Sequence, residues 1–185
     1  MDIGIFDLET TGFYADSSIL LCCSSKTYGI DKVTTVRADK FATWKTEKTD
    51  ERLVIEAVSK QLEPYDILIA HNGQWFDKGY LNAKCLEFGL PPILRWKKLI
   101  DPCQISRRHM RLGRNSLAAL IDYFQIPVKK TPIELLKWRK AAYNSDIKSM
   151  HAIVEHCEYD VQTLEAVYRR VKGLVDKIDK SGSSY

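Results

Sequence analysis

The hydrophobic period of this sequence changes near residue 50, and that change limits the folds open to the chain. Before it, three short apolar runs are separated by turn residues, at residues 3–9, 19–25 and 32–37. These runs predict an antiparallel meander of three strands. After it, apolar residues recur at helical spacing, first between Asp50 and Leu62, and Asp50 is placed to cap the first turn of that helix.

Short apolar strands then alternate with helices through the rest of the chain. Asp101 and Pro102 occupy the positions of a helix N-cap and first residue. We predict strands at residues 66–71 and about 98–100, and helices at 75–88, 116–124, 133–143 and 147–178. This order predicts an α/β fold with a mixed β-sheet, in which three antiparallel strands are followed by parallel strands and the sheet is flanked by helices.

Length and composition predict one domain at residues 1–178, followed by a flexible C-terminal tail at 179–185 with linker composition. Met1 leads directly into the first strand, which leaves no room for a targeting signal. No segment has the roughly 18 consecutive apolar residues of a membrane span. We therefore expect a cytoplasmic protein with no membrane association, and no obligate protein partner is evident.

The cysteines and the net charge say less about function. Five cysteines without a CxxC pair favour neither a disulfide framework nor a zinc knuckle, and buried thiols are the simpler interpretation. A net charge of +4 permits a polyanionic partner without establishing one.

Acidic residues follow two of the predicted strands. Asp7 and Glu9 are two residues apart on the first strand, so their side chains share one face and repel each other. Such a pair takes up a proton, holds a cation, or simply ends a strand in solvent. Asp77 comes after the strand at residues 66–71, near a helix start, where an acid can also serve to oppose the positive helix end.

A further acid lies inside the last predicted helix. Asp160 stands four residues after His156, so the two side chains are one turn apart on a flank of the apolar seam. A surface hydrogen-bonded pair is the plain interpretation of this arrangement. A functional interpretation requires that it meet Asp7, Glu9 and Asp77 in space.

Three segments together resemble a known family. They are Phe6–Gly12 (FDLETTG), His71–Asp77 (HNGQWFD) and Tyr159–Val161 (YDV). They look like the three motifs of the DEDD, or DnaQ-like, 3′-5′ exonuclease superfamily with a ribonuclease H-like fold, and most resemble DNA polymerase B and YprB-type exonuclease domains. The resemblance runs from Ile3 to about Tyr168, and includes the segment Ser116–Pro127.

This resemblance implies a two-metal exonuclease that releases 5′-mononucleotides from a single-stranded 3′ end of DNA or RNA. Asp7, Glu9, Asp77 and Asp160 would be its catalytic metal ligands. Because all four ligands are carboxylates, we expect two Mg²⁺ or Mn²⁺ ions rather than zinc. Asp101 is a secondary candidate for the same site.

The third motif departs from the family pattern. Family members are similar in having a tyrosine four residues before the last aspartate or a histidine five before it, whereas this sequence has His156 at the tyrosine position. The reference pKa of histidine is near 6.5, against about 10 for tyrosine. We assign His156 as the catalytic residue that orients or deprotonates the attacking water, with Tyr159 as the alternative.

The substrate contacts are expected in two places. The resemblance puts the terminal nucleotide at the turn after the first strand, formed by Thr10, Thr11, Gly12 and Phe13, although Phe13 could equally be turn packing. Basic residues that could follow phosphates, or could simply be solvated, occur after the second motif. The further candidate substrate contacts are Asn72, Arg107, Arg108 and Lys137, and other basic residues are His109, Arg111, Arg114, Lys129, Lys130, Arg139 and Lys140.

Two other functions remain open from the sequence. One is a structure-specific endonuclease, because ribonuclease H-like folds use similar acidic clusters on internal phosphodiesters. The other is a catalytically impaired nucleic-acid-binding domain, which the irregular third motif would allow. Four mutually repelling acids argue against the second, since an inactive domain gains nothing from them.

Overall fold

A five-stranded sheet forms the centre of the computed structural model, which describes residues 1–95, 97–127 and 133–175. Its strands are β1 (Ile3–Thr10), β2 (Leu20–Thr27), β3 (Val33–Arg37), β4 (Ile67–Ile69) and β5 (Lys98–Ile100). They lie in the order β3-β2-β1-β4-β5. The first three strands pair antiparallel, whereas β1 with β4 and β4 with β5 are parallel pairs. The predicted mixed sheet is confirmed.

Helices flank this sheet. They are α1 (Thr43–Thr46), α2 (Arg52–Leu62), α3 (Asp77–Glu87), α4 (Pro102–His109), α5 (Leu117–Phe124), α6 (Leu135–Asn144) and α7 (Ile147–Val171). Asp101 caps α4, and its side chain accepts from the backbone N–H groups of Cys103 and Gln104. The predicted cap of α4 is therefore confirmed. The short helix α1 was not predicted from the apolar pattern.

Two predicted helix ends differ from the structure. The N-cap of α2 is Glu51, whereas Asp50 was predicted to cap this helix. Asp50 lies one residue earlier, and its Oδ1 accepts a long hydrogen bond of 3.4 Å from the backbone N–H of Arg52. The last helix ends at Val171 rather than at residue 178, and continues as a 3₁₀ turn at Lys172–Leu174. That turn contains a glycine, the residue with the poorest helix propensity after proline. The predicted tail at 179–185 lies outside the described residues.

The core lies on both faces of the sheet. Phe6 and Leu8 of β1 belong to a buried cluster with residues of α2 and α3. Ile5 belongs to a second cluster with residues from the later half of α7. Since side chains alternate along a strand, Asp7 and Glu9 lie on the Ile5 side, which faces α7. Among the described residues, no helix is both long enough and apolar enough to cross a membrane.

Candidate functional site

The candidate site begins at the end of β1. Glu9 pairs with Cys22 of β2, but the next residue, Thr10, pairs with Leu20, so the register shifts between Glu9 and Thr10. The extra β2 residue makes a bulge beside Glu9. Bulges bend a strand and change the direction of the side chains next to them. The site therefore lies where the regular β1–β2 pairing is interrupted.

Helix α7 places His156 between two carboxylates. His156 Nε2 lies 3.9 Å from Glu9 Oε1 and 3.7 Å from Asp160 Oδ2. Glu9 Oε1 and Asp160 Oδ2 therefore lie near the same histidine nitrogen, although they belong to distant parts of the chain. His156 and Asp160 stay partly exposed, with 26% and 30% of their side-chain surface accessible. The dyad expected from the helical spacing thus faces the end of β1 and remains open to solvent.

Asp77 joins the group from α3, where it is the first helical residue and is only 3% exposed. Burial, and then the charges of Glu9, Asp77 and Asp160, raise the pKa of Asp7 well above 3.8. Burial also raises the pKa of Glu9 from 4.5 to about 8 and that of Asp77 from 3.8 to about 7. The structure thus brings together four acids from three distant segments, and the charges of Asp77 and Asp160 raise the pKa of both Asp7 and Glu9.

The chemistry of this donor set fits hard divalent cations, because it consists of four carboxylates. Within the described ranges, no three or more His, Cys, Asp or Glu side chains are already arranged to hold a metal ion. Like charges repel in a buried setting, which favours rotamers that keep carboxylate oxygens apart. A bound cation would offset this repulsion between the carboxylates.

Asp101 supports the loop that precedes Asp77. Its carboxylate accepts the backbone N–H of Asn72 at 2.8 Å and that of Gln74 at 3.3 Å, in addition to capping α4. Asn72 has a positive φ of 62°, a conformation that asparagine tolerates better than most residues. The charge of Asp101 also contributes to the raised pKa of Asp77. The structure therefore places Asp101 behind the loop, as an anchor for it.

The turn after β1 is fixed by its own side chains. Thr10 Oγ1 donates to the carbonyl of Gly12 at 2.7 Å, and Thr11 Oγ1 accepts the backbone N–H of Ile19 at 3.0 Å. Phe13 is 75% exposed, and one edge of its ring packs against Phe76, with 6.1 Å between the ring centroids. This arrangement leaves most of the Phe13 ring open to solvent, next to the ring of Phe76, the residue before Asp77.

The other candidate contacts lie on α4, α6 and α7. Arg107 and Arg108 are exposed in the last turn of α4. Burial, and to a smaller extent the charge of Arg107, lower the pKa of His71 in the loop before Asp77. Lys137 is partly buried on α6, and Tyr159 is partly buried on α7. The pair Lys129 and Lys130 lies outside the described residues.

Two side chains that were not candidates contact the acids. The indole N–H of Trp138, on α6, donates to Glu9 Oε2 at 2.9 Å. The thiol of Cys157 lies 3.5 Å from Asp7 Oδ2, within hydrogen-bonding distance. The sequence does indicate that Cys157 lies near the site, because Cys157 is three residues before Asp160 and side chains at this spacing are neighbours on a helix. Trp138 lies 129 residues from Glu9, and no local pattern indicates their contact.

Comparisons with known proteins identify the family and the fold. A family model described as the RNase_H superfamily matches residues 5–172. The structure of the family B DNA polymerase from the hyperthermophilic archaeon Pyrobaculum calidifontis is similar over 93% of this chain, with a TM-score of 0.74 and 15% identity. The matched region covers 24% of the polymerase chain, and at this identity the likeness concerns the fold alone. No curated protein matches the sequence.

Proposed function

This chain belongs to the RNase_H superfamily, and on that basis we propose that it hydrolyses phosphodiester bonds from the 3′ end of a nucleic acid. The superfamily match confirms the resemblance to ribonuclease H-like nucleases, which act on nucleic acids and generally use divalent metals. The 3′-5′ direction is our proposal. The direction is taken from the resemblance of the three motifs, and one observation supports phosphodiester hydrolysis at this site: Glu9, His156 and Asp160 meet at the end of β1, beside Asp7 and the buried Asp77.

The four carboxylates of Asp7, Glu9, Asp77 and Asp160 would hold two Mg²⁺ or Mn²⁺ ions. When bound, such ions lower the pKa of an attacking water and stabilise the charge on a leaving oxygen. The raised pKa of Glu9 and that of Asp77 support this role, because burial and the charges of neighbouring acids make the ionised carboxylates costly unless a cation is bound.

His156 would handle the proton of the attacking water. Its Nε2 lies at the partly exposed opening between Glu9 and Asp160, where a water molecule can approach. In the proposed step Nε2 takes a proton from the water, and the water oxygen bonds to the phosphorus atom. The bond from phosphorus to the 3′ oxygen breaks, and that oxygen takes a proton from solvent to give the new 3′ hydroxyl of the strand. The released nucleotide keeps a 5′ phosphate.

The 3′ end of the strand would lie at the turn formed by Thr10, Thr11, Gly12 and Phe13. The exposed face of Phe13 is available to stack on the terminal base, and stacking of this kind tolerates any base. Arg107, Arg108 and Lys137 would contact phosphates farther along the strand, and Asn72 would contribute from its loop. We propose a single-stranded 3′ end of DNA or RNA as the substrate.

A gel assay tests this function. Single-stranded DNA and RNA labelled at the 5′ end would be incubated with Mg²⁺, Mn²⁺ or a chelator, beside circular and 3′-blocked versions of the same sequences. With metal we expect stepwise shortening of the labelled strand, unlabelled 5′-mononucleotides identified by chromatography of the same reaction, and no cleavage of circles. We expect no activity in Asp7→Ala. Cleavage of circular substrate would instead support the endonuclease. Binding of nucleic acid without degradation under any metal condition would contradict the proposal and leave a binding domain.

A further inference from the structure

A tryptophan from another helix holds one oxygen of Glu9. The indole N–H of Trp138 donates to Glu9 Oε2 at 2.9 Å, while Glu9 Oε1 is the oxygen that faces His156. The Trp138 and His156 rings meet edge to face, with 6.2 Å between their centroids and an interplanar angle of 87°. The two oxygens of Glu9 therefore have different surroundings.

The position of Trp138 is set by the packing of its helix. Ala141 and Ala142, one turn farther along α6, are almost completely buried, at 0% and 1% exposure. Their small side chains let α6 approach α7 closely, and the two helices pack together. Trp138 itself is partly buried against the core. The indole thus reaches Glu9 from a fixed helix rather than from a free loop.

The hydrogen bond restrains the plane of the Glu9 carboxylate. The last torsion of a glutamate is broad, so an unbound carboxylate samples many orientations. The indole N–H donates to the Glu9 oxygen in either protonation state, the bond is stronger to the ionised form that would hold a cation, and the rigid indole gives it a single direction. With Oε2 held in this way, Oε1 is directed toward His156 and the open side of the site.

We propose that Trp138 is a positioning residue, which orients Glu9 so that Oε1 is presented to a divalent cation. The proposal rests on the function proposed above, in which Glu9 binds metal. Groups that hold a metal ligand from behind typically contribute about 10-fold to 100-fold in metal affinity or activity. Loss of the indole N–H should therefore weaken metal binding even where the fold is unchanged.

Two variants separate the N–H from the bulk of the ring. Trp138→Phe keeps an aromatic ring but removes the donor. Trp138→His places Nε2 at the same position in a five-membered ring as the indole nitrogen, so its neutral form can still donate. Trp44→Phe is the matched control, because Trp44 is buried and its Nε1 has no hydrogen-bond partner in the part of the chain that the structure describes. Any loss in that control reports packing alone.

The experiment measures binding of Mn²⁺ to the whole protein without nucleic acid. The electron paramagnetic resonance signal of free Mn²⁺ gives the amount that is not bound. We expect the apparent Kd to rise about 10-fold or more in Trp138→Phe, less in Trp138→His, and not at all in Trp44→Phe. In the nuclease assay with Mg²⁺, Trp138→Phe should lower kcat, with little change in the KM for nucleic acid. Raising the Mg²⁺ concentration should recover part of the loss.

Two outcomes would overturn the positioning role, and two others would contradict the proposed function. A Kd for Trp138→Phe within threefold of wild type would overturn the positioning role, and so would equal losses in Trp138→Phe and Trp138→His, which would indicate packing. Wild-type protein that binds no Mn²⁺, or an Asp7→Asn variant that binds it equally well, would instead contradict the proposed function itself. Thermal unfolding shows whether each variant folds. If Trp138→Phe does not fold, a Kd for Trp138→His within threefold of wild type supports the positioning role, and a rise of about 10-fold or more overturns it. If Trp138→His does not fold, the threefold criterion for Trp138→Phe decides.

Discussion

The buried acids should make the metal-free protein less stable as the pH rises. The pKa of Glu9 is about 8 in the folded protein and 4.5 for an ordinary glutamate. Between these values the folded state binds more protons than the unfolded state, so the free energy of unfolding falls with increasing pH. The slope is about 1.4 kcal/mol per pH unit for a single group. Replacing Glu9 by glutamine removes this contribution.

The size of the effect follows from the pH interval. From about pH 5 to about pH 8 the full slope would amount to about 4 kcal/mol, and exchange of protons with the neighbouring acids reduces it to roughly 2–4 kcal/mol. The Glu9 side chain is 13% exposed, so screening by solvent is small. For a domain of this size the difference corresponds to roughly 5–15 °C in Tm.

The assay is thermal or urea unfolding of wild type and Glu9→Gln in chelator across this pH range. We expect similar stabilities near pH 5, where Glu9 is neutral, and a more stable variant near pH 8. Mg²⁺ should stabilise the wild type near pH 8, by about 2.7 kcal/mol at 100 times its Kd. The difference in stability between wild type and Glu9→Gln should then become smaller. Glu155→Gln, an exposed change on α7, should show no such trend. A constant difference between wild type and Glu9→Gln at every pH would refute the reasoning.

Three further changes test single residues of the site. Asp160→Ala should abolish Mg²⁺-dependent degradation while the Tm stays equal or rises, because one of four repelling acids is removed; substantial activity would refute its role. His156→Ala should lower kcat at least about 100-fold, and a loss below threefold would move the role to Tyr159 or to the metals. Asp101→Ala should lower the free energy of unfolding by about 2–4 kcal/mol, because backbone N–H groups in the loop before Asp77 and at the start of α4 lose their acceptor. Ser116→Ala, which removes only the cap of α5, should lower it by about 1 kcal/mol. Equal losses in these last two would contradict the anchoring role of Asp101.

Several elements were predictable because their signals are local. The apolar run that ends in Asp7 and Glu9 predicts a strand with both acids on one face, and β1 has this form. The sequence of Asp101 and Pro102 predicts the start of α4 from the N-cap preference of aspartate and the fixed φ of proline. The spacing of His156 and Asp160 predicts two side chains one turn apart. Each of these inferences depends on residues within a few positions of one another.

Other predictions were wrong or incomplete at element ends, where several local preferences compete. Asp50 and Glu51 are both able to flank the start of α2, and Glu51 takes the N-cap position. Its carboxylate accepts the backbone N–H of Leu20 at 2.6 Å and pairs with the buried Lys84 at 2.5 Å. Those partners lie far away in the chain. The boundary of α2 thus reflects a tertiary contact that no local pattern contains.

The sequence by itself determined that Asp7 and Glu9 share one face of a strand and that His156 and Asp160 are one helix turn apart. Tertiary packing alone decided that the α7 dyad faces β1, that a bulge lies beside Glu9, and that Trp138 reaches Glu9 across 129 positions. The raised pKa of Glu9 and that of Asp77 have the same origin, because burial is their largest cause. Side-chain periodicity acts over a few residues, whereas burial and contact depend on every element that covers a site.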